Sequence, residues 1–141
     1  MVLQNQKLGI DKNLFFAYNE DMKNTSRFQL NEYQKVAIES QVNKLRNLGF
    51  YVPEIVVTDN NSAYVGNTIF LFNSPDTDYL VYLLTHEVGH ANMPSDFVTF
   101  DIWNGESCLV ENWKVEAAKI SDYATTSPQE FYAERFANQY K

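Results

Sequence analysis

Histidine occurs only twice in this chain, and both copies fall within His86-Glu87-Val88-Gly89-His90. That spacing demands a helix if the two rings are to act together. Residues four apart share one helical face, so both imidazoles can address a single ion. Glu87 lies beside them, within reach of a water held by that ion. This is the HExxH arrangement of zinc-dependent hydrolases, with His86 and His90 as metal ligands and Glu87 as general base. The bland alternative is two ordinary histidines that happen to stand four apart, so the rest of the chain has to decide.

A chain of 141 residues suits one domain, 1–141, with room for a real core. The net charge of −7 argues against nucleic acid or an anionic membrane as partner, since both need a basic face. Cys108 is the single cysteine, which excludes an internal disulfide and the multi-cysteine zinc sites. It reads as a small core residue, because no spare histidine exists to activate it as a nucleophile. No apolar run is long enough to span a membrane, and Met1 to Ile10 lacks the basic-then-apolar pattern of a secretion signal. A monomer is expected.

Asn31 to Leu48 reads as an amphipathic helix with Ile38, Val42 and Leu45 on its apolar stripe, Asn31 as cap and Gly49 at its stop. Glu54 to Thr58 is a strand, ended by the turn cluster from Asp59 to Ser62. A second strand from Tyr64 to Phe72 is expected to pair with it as a hairpin. The metal helix then runs from about Tyr79 to Asn92, closed by Pro94, with Leu80, Leu83, Leu84 and Val88 buried. Ser95 to Gly105 looks irregular, a further helix is expected from about Glu106 to Lys119, and a last one starts at Ser127-Pro128. Leu14-Phe15-Phe16 is expected in the core. The order is that of an α+β domain, a small mixed sheet backed by the HExxH helix and followed by a helical C-terminal half.

A catalytic zinc site wants a third protein ligand and an open position. Without a third histidine, that ligand must be a carboxylate from further along. Asp96 is one candidate, although Met93 and the stiff Pro94 replace the glycine turn of short-spacer sites. The stronger candidates are Glu130 and Glu134, which share a helical face, so that one can bind metal while the other supports a ligand histidine. Ser127-x-x-Glu130 is also a capping-box pattern, in which Glu130 would merely satisfy a backbone N–H.

HEVGH, followed about forty residues later by Tyr-x₆-Glu-Phe-Tyr-Ala-Glu with Ser-Pro ahead of the Glu, resembles the anthrax lethal factor catalytic-domain family. That family includes the secreted Pro-Pro endopeptidases and toxin-associated zinc proteases. The likeness covers about Ile69 to Tyr140. It implies a zincin-like fold and a zinc endopeptidase acting on a peptide or protein substrate, with one catalytic Zn²⁺. Carried over residue by residue, it implies His86, His90 and Glu130 as ligands and Glu87 as general base. Tyr123 would steady the oxyanion and Glu134 would support a ligand from behind. The family also favours a secreted chain or one delivered to a target cell. The Tyr64–Phe72 strand, just before the metal helix, would then be the sheet edge for an extended substrate. Two other readings stand beside this one: an inert zinc-binding interaction domain, and an interaction protein carrying the motif by chance.

Overall fold

Two parallel strands with matching inward faces set the core. β2 (Glu54–Thr58) and β4 (Thr68–Phe72) pair in parallel, bringing Ile55 opposite Ile69 and Val57 opposite Leu71. All four are buried, as the period of two along a strand requires when one face is covered. β1 (Met22–Asn24) pairs in parallel on the far side of β2, and β3 (Ala63–Val65) pairs antiparallel with β4, giving the sheet order β1-β2-β4-β3. The computed structural model describes residues 22–24 and 30–141, so Leu14-Phe15-Phe16 lies outside the described residues.

The hairpin expected between Glu54–Thr58 and Tyr64–Phe72 is corrected by this topology. The chain leaves β2, skips a place to run as β3, and turns at Gly66-Asn67 to come back as β4 between them. Both turn residues take positive φ, 55° and 70°, which glycine and asparagine tolerate best. The hairpin is therefore β3 with β4. The open sheet edge beside the later helices is Ala63–Val65, not the whole run from Tyr64 to Phe72.

Two helices cover the sheet. α1 (Glu32–Asn47) begins with a reciprocal capping box between Asn31 and Gln34, and its chain exits through Gly49 at φ 94°. α2 (Thr77–Asn92) is capped by Asp76, whose side chain accepts from the Tyr79 N–H, and ends before Pro94. Ile38, Val42 and Leu45 of α1 join Leu80, Leu84 and Val88 of α2 and the inward strand residues in one hydrophobic cluster. Gln41, itself buried, donates from Nε2 to Thr85 Oγ1 (3.0 Å) and to the Tyr140 carbonyl (2.9 Å), tying α1 to α2 and to the end of the chain's last helix.

The segment after α2 departs from the expectation. β5 (Val98–Asp101) and β6 (Gly105–Cys108) form an antiparallel hairpin where irregular chain and the start of a helix were expected. α3 is only Trp113–Ala118. The spacing of Leu109, Val110, Trp113 and Ala117 predicts that one helix carries all four, but Leu109 and Val110 precede α3 and Leu109 is 64% exposed, while Trp113 and Ala117 are buried. A 3₁₀ turn, Tyr123–Thr125, leads to α4 (Pro128–Tyr140), with Ser127 as cap and Pro128 in its first turn. The C-terminal half is thus mixed rather than wholly helical, and the chain as described is α+β. Phe97, Cys108, Trp113, Ala117, Ala124 and Phe131 make a second cluster, and Tyr132 of α4 packs against both. Cys108 is the small buried residue the sequence suggested.

Candidate metal centre

Gly89 decides how closely α4 approaches α2. A Cβ built there would stand 3.0 Å from Phe136 Cβ and 3.1 Å from Ala133 Cα. Any side chain at position 89 would therefore push against the backbone of α4. With hydrogen there instead, the two helices come close enough for Glu130 and Glu134, one turn apart on α4, to face the two histidines on α2.

The resulting geometry is tight. Glu130 Oε1 lies 3.0 Å from His86 Nε2 and 3.0 Å from His90 Nε2. The other nitrogen of His86, Nδ1, donates to Glu134 Oε2 at 2.7 Å. Glu134 also accepts from Ser121 Oγ at 2.8 Å and from the Tyr82 hydroxyl. Both members of the α4 pair thus have distinct places, Glu130 between the two rings and Glu134 behind one of them. Only the serine half of the expected capping box is seen: Ser127 Oγ accepts from the Glu130 N–H at 3.1 Å, while the Glu130 carboxylate faces the histidines instead of the cap backbone.

Charge follows from this packing. Burial alone would lower the His86 pKa, but the carboxylates of Glu130 and Glu134 outweigh it and raise the value to about 9. At Glu130, burial would raise the carboxyl, yet hydrogen bonds from His86 and His90 hold it well below the usual carboxylate range. Glu134 is likewise lowered against its burial, by His86, Tyr82 and Ser121. Glu87 goes the other way: burial pushes it up, opposed only in part by the two histidines. Burial, with the Glu130 carboxylate next, raises the Tyr123 phenol.

The donor set fits a cation. One donor atom each from His86, Glu87 and His90 lies within 4.8 Å of the others. Donors around a tetrahedral ion with bonds near 2 Å stand about 3.3 Å apart. The 3.0 Å separations between Glu130 Oε1 and the two Nε2 atoms need little change to reach that. The hydrogen bond from Nδ1 to Glu134 leaves Nε2 of His86 as the metal-facing nitrogen, the orientation such a ligand needs.

Six of the seven residues singled out in the sequence, His86, Glu87, His90, Tyr123, Glu130 and Glu134, are brought to one place. Tyr123 stands on the 3₁₀ turn with its ring 6.0 Å from that of His86. Asp96 is exposed between α2 and β5, outside the converging group. Sequence reasoning missed Tyr82 and Ser121. Tyr82 precedes His86 by four positions and so continues the His86–His90 face, a signal that was present. Ser121 carried none.

No protein-family model matches the chain, and no solved structure matches it. The curated proteins it resembles are kinases. They are the choline/ethanolamine kinases of Rattus norvegicus and Mus musculus, each 30% identical over 115 residues covering 78% of this chain and 28% of the kinase. The chain thus spans less than a third of the length of these relatives. This comparison overturns the expectation of a zinc-dependent endopeptidase, and with it the assignment as hydrolase, protease or metalloprotease. The physical reason the motif misled is specific. Two histidines at helical spacing and a distant carboxylate state where a cation can sit, and not which bond the site acts on.

Proposed function

We propose that this chain is a metal-binding domain that holds one divalent ion, zinc in the first place, on His86, His90 and Glu130. The observation that carries the reading is the position of Glu130 Oε1, 3.0 Å from Nε2 of both histidines, with Nδ1 of His86 already taken by Glu134. Three donors of the types zinc prefers converge from two helices, and a carboxylate behind one histidine fixes its ring. Bound there, an ion supplies Lewis acidity. The chain's own part is to aim the donors, to keep Glu87 nearly buried beside them and to hold α2 against α4. The helix with both histidines, backed by a small mixed sheet and followed by a helix with the third donor, supports a zincin-like layout. The resemblance to the lethal factor family supports that layout and donor set alone.

The test is bound metal per chain by elemental analysis, on the wild type, Glu130→Gln and Asp96→Ala. Zinc near one per chain in the wild type and Asp96→Ala, and much reduced in Glu130→Gln, is the expected result. Zinc retained in full by Glu130→Gln overturns the ligand set.

The relatives favour a second reading, that the chain acts as part of a kinase on choline or ethanolamine. Its test is phosphoryl transfer from a nucleoside triphosphate to either amino alcohol by the purified chain. Phosphorylated product in proportion to enzyme supports it, and none across a range of divalent ions refutes it for this chain alone.

A further inference from the structure

Beside the metal centre lies a cavity of about 550 Å³ whose walls are unusually aromatic. Phe72 comes from β4, Tyr79 and Tyr82 from the first turns of α2, and Tyr123 from the 3₁₀ turn. Tyr79 and Tyr82 stack with ring centroids 6.0 Å apart at 17°, and the Tyr123 ring stands 6.0 Å from that of His86. Tyr79 and Tyr123 are each about half exposed, 49% and 53%, so their rings are open to a ligand. The same cavity is lined by the carboxylates of Glu87 and Glu134, and no lysine or arginine is among its described lining residues.

We infer that this cavity is a binding site for an organic ammonium cation. The ring faces of tyrosine and phenylalanine carry negative potential and attract an alkylated cation, which fits against them without the tight hydration shell of an inorganic ion. Glu134 is already held by His86, Tyr82 and Ser121, which leaves Glu87 as the carboxylate that a purely apolar ligand would cover without a partner and that would repel an anion. The inference rests on the metal-binding reading only in sharing these carboxylates. One ring of the cavity already holds an ammonium group of the chain itself: Lys141 Nζ stands over Tyr82, 5.6 Å from the ring centroid.

An ammonium of this kind has two sources, a free small molecule or the side chain of a lysine in a peptide. The test is a titration followed by the nuclear magnetic resonances of the tyrosine ring protons, run on metal-free and zinc-loaded protein. The probes are choline and its uncharged isostere with carbon in place of nitrogen, then N-acetyl-lysine methylamide and its norleucine counterpart. The expected result is saturable binding of at least one cation, with its neutral partner roughly tenfold weaker or more. Choline alone assigns a free cation, and the lysine amide alone assigns a side chain. Tyr79→Leu, at an accessible helix position, should cut the cation's affinity several-fold while leaving the neutral probe and zinc content unchanged. Equal binding of charged and neutral partners, or binding of neither, overturns the inference. Failure of the metal reading shows instead as absence of zinc, whatever the cations do.

Discussion

Replacing Gly89 by alanine sets two effects against each other. In the interior of a helix, alanine is favoured over glycine by about 1 kcal/mol, so a free surface at position 89 would be stabilised. The structure places Ala133 Cα 3.1 Å and Phe136 Cβ 3.0 Å from the added methyl. One of these is backbone, so a rotamer change cannot relieve the contact and α4 has to move away. Overpacking of that kind costs about 1–3 kcal/mol, and a backbone obstruction belongs in the upper part of the range. Gly89→Ala should therefore be net destabilised by roughly 1–2 kcal/mol. Because α4 carries Glu130 and Glu134, the same displacement loosens the donor set, and zinc affinity should fall about tenfold. Urea unfolding of the metal-free protein measures the first effect, and competition with a chromophoric chelator measures the second. A variant that is more stable than wild type and binds zinc as tightly would refute the claim that glycine is needed for helix approach.

Three further outcomes are expected. Glu134→Ala removes the acceptor for His86 Nδ1–H (2.7 Å) and should weaken zinc binding about 10- to 100-fold while Glu130 is retained; unchanged affinity in a chelator titration would count against the positioning role. In the metal-free protein the His86 pKa is raised from 6.5 to about 9, so its stabilising charge is fully present below 6.5 and lost as pH rises through 9. Thermal melts should show that decline in chelator-treated protein and not in zinc-loaded protein, and parallel curves would contradict it. Phe131, 1% exposed and packed beside Trp113 and Phe97 at ring separations of 6.0 and 6.3 Å, anchors the second cluster. Phe131→Ala should cost about 3–5 kcal/mol by denaturant unfolding, and a loss under 1 kcal/mol would show that cluster to be loosely packed.

What could be seen in the sequence was whatever is local. Asn31 and Gly49 bracket α1 because capping and exit are decided within a few residues. The spacings His86 to His90 and Glu130 to Glu134 placed each pair on one helical face for the same reason. The parallel pairing of β2 with β4 depends on β3 being laid down on the outer edge, which no neighbouring residues encode. Gly66-Asn67 does announce a turn inside the Tyr64–Phe72 run, between the apolar pair Tyr64-Val65 and the apolar stretch from Ile69 to Phe72. The stripe from Leu109 to Ala117 imitated a helix face whose first member is exposed. At the site, the donors were legible and their supports less so: Ser121 reaches Glu134 through tertiary packing alone.

The β5–β6 hairpin lies in sequence between His90 and Glu130, yet it supplies none of the converging donors. Its buried members, Phe97 just before it and Cys108 at its end, belong to the second cluster rather than to the sheet core. The donors are instead held by α2 against α4, with Gly89 at the seam. The hairpin leans on α4 all the same: the Phe97 ring meets Tyr132 at 4.9 Å and Glu106 accepts from Gln129, so it supports the helix that carries Glu130 without reaching the donors. Its tip is the exposed part, with Ile102 at 80% and Trp103 at 89%, so changes confined to the tip leave the donor frame in register. Diversity could accumulate there without passing through the candidate site.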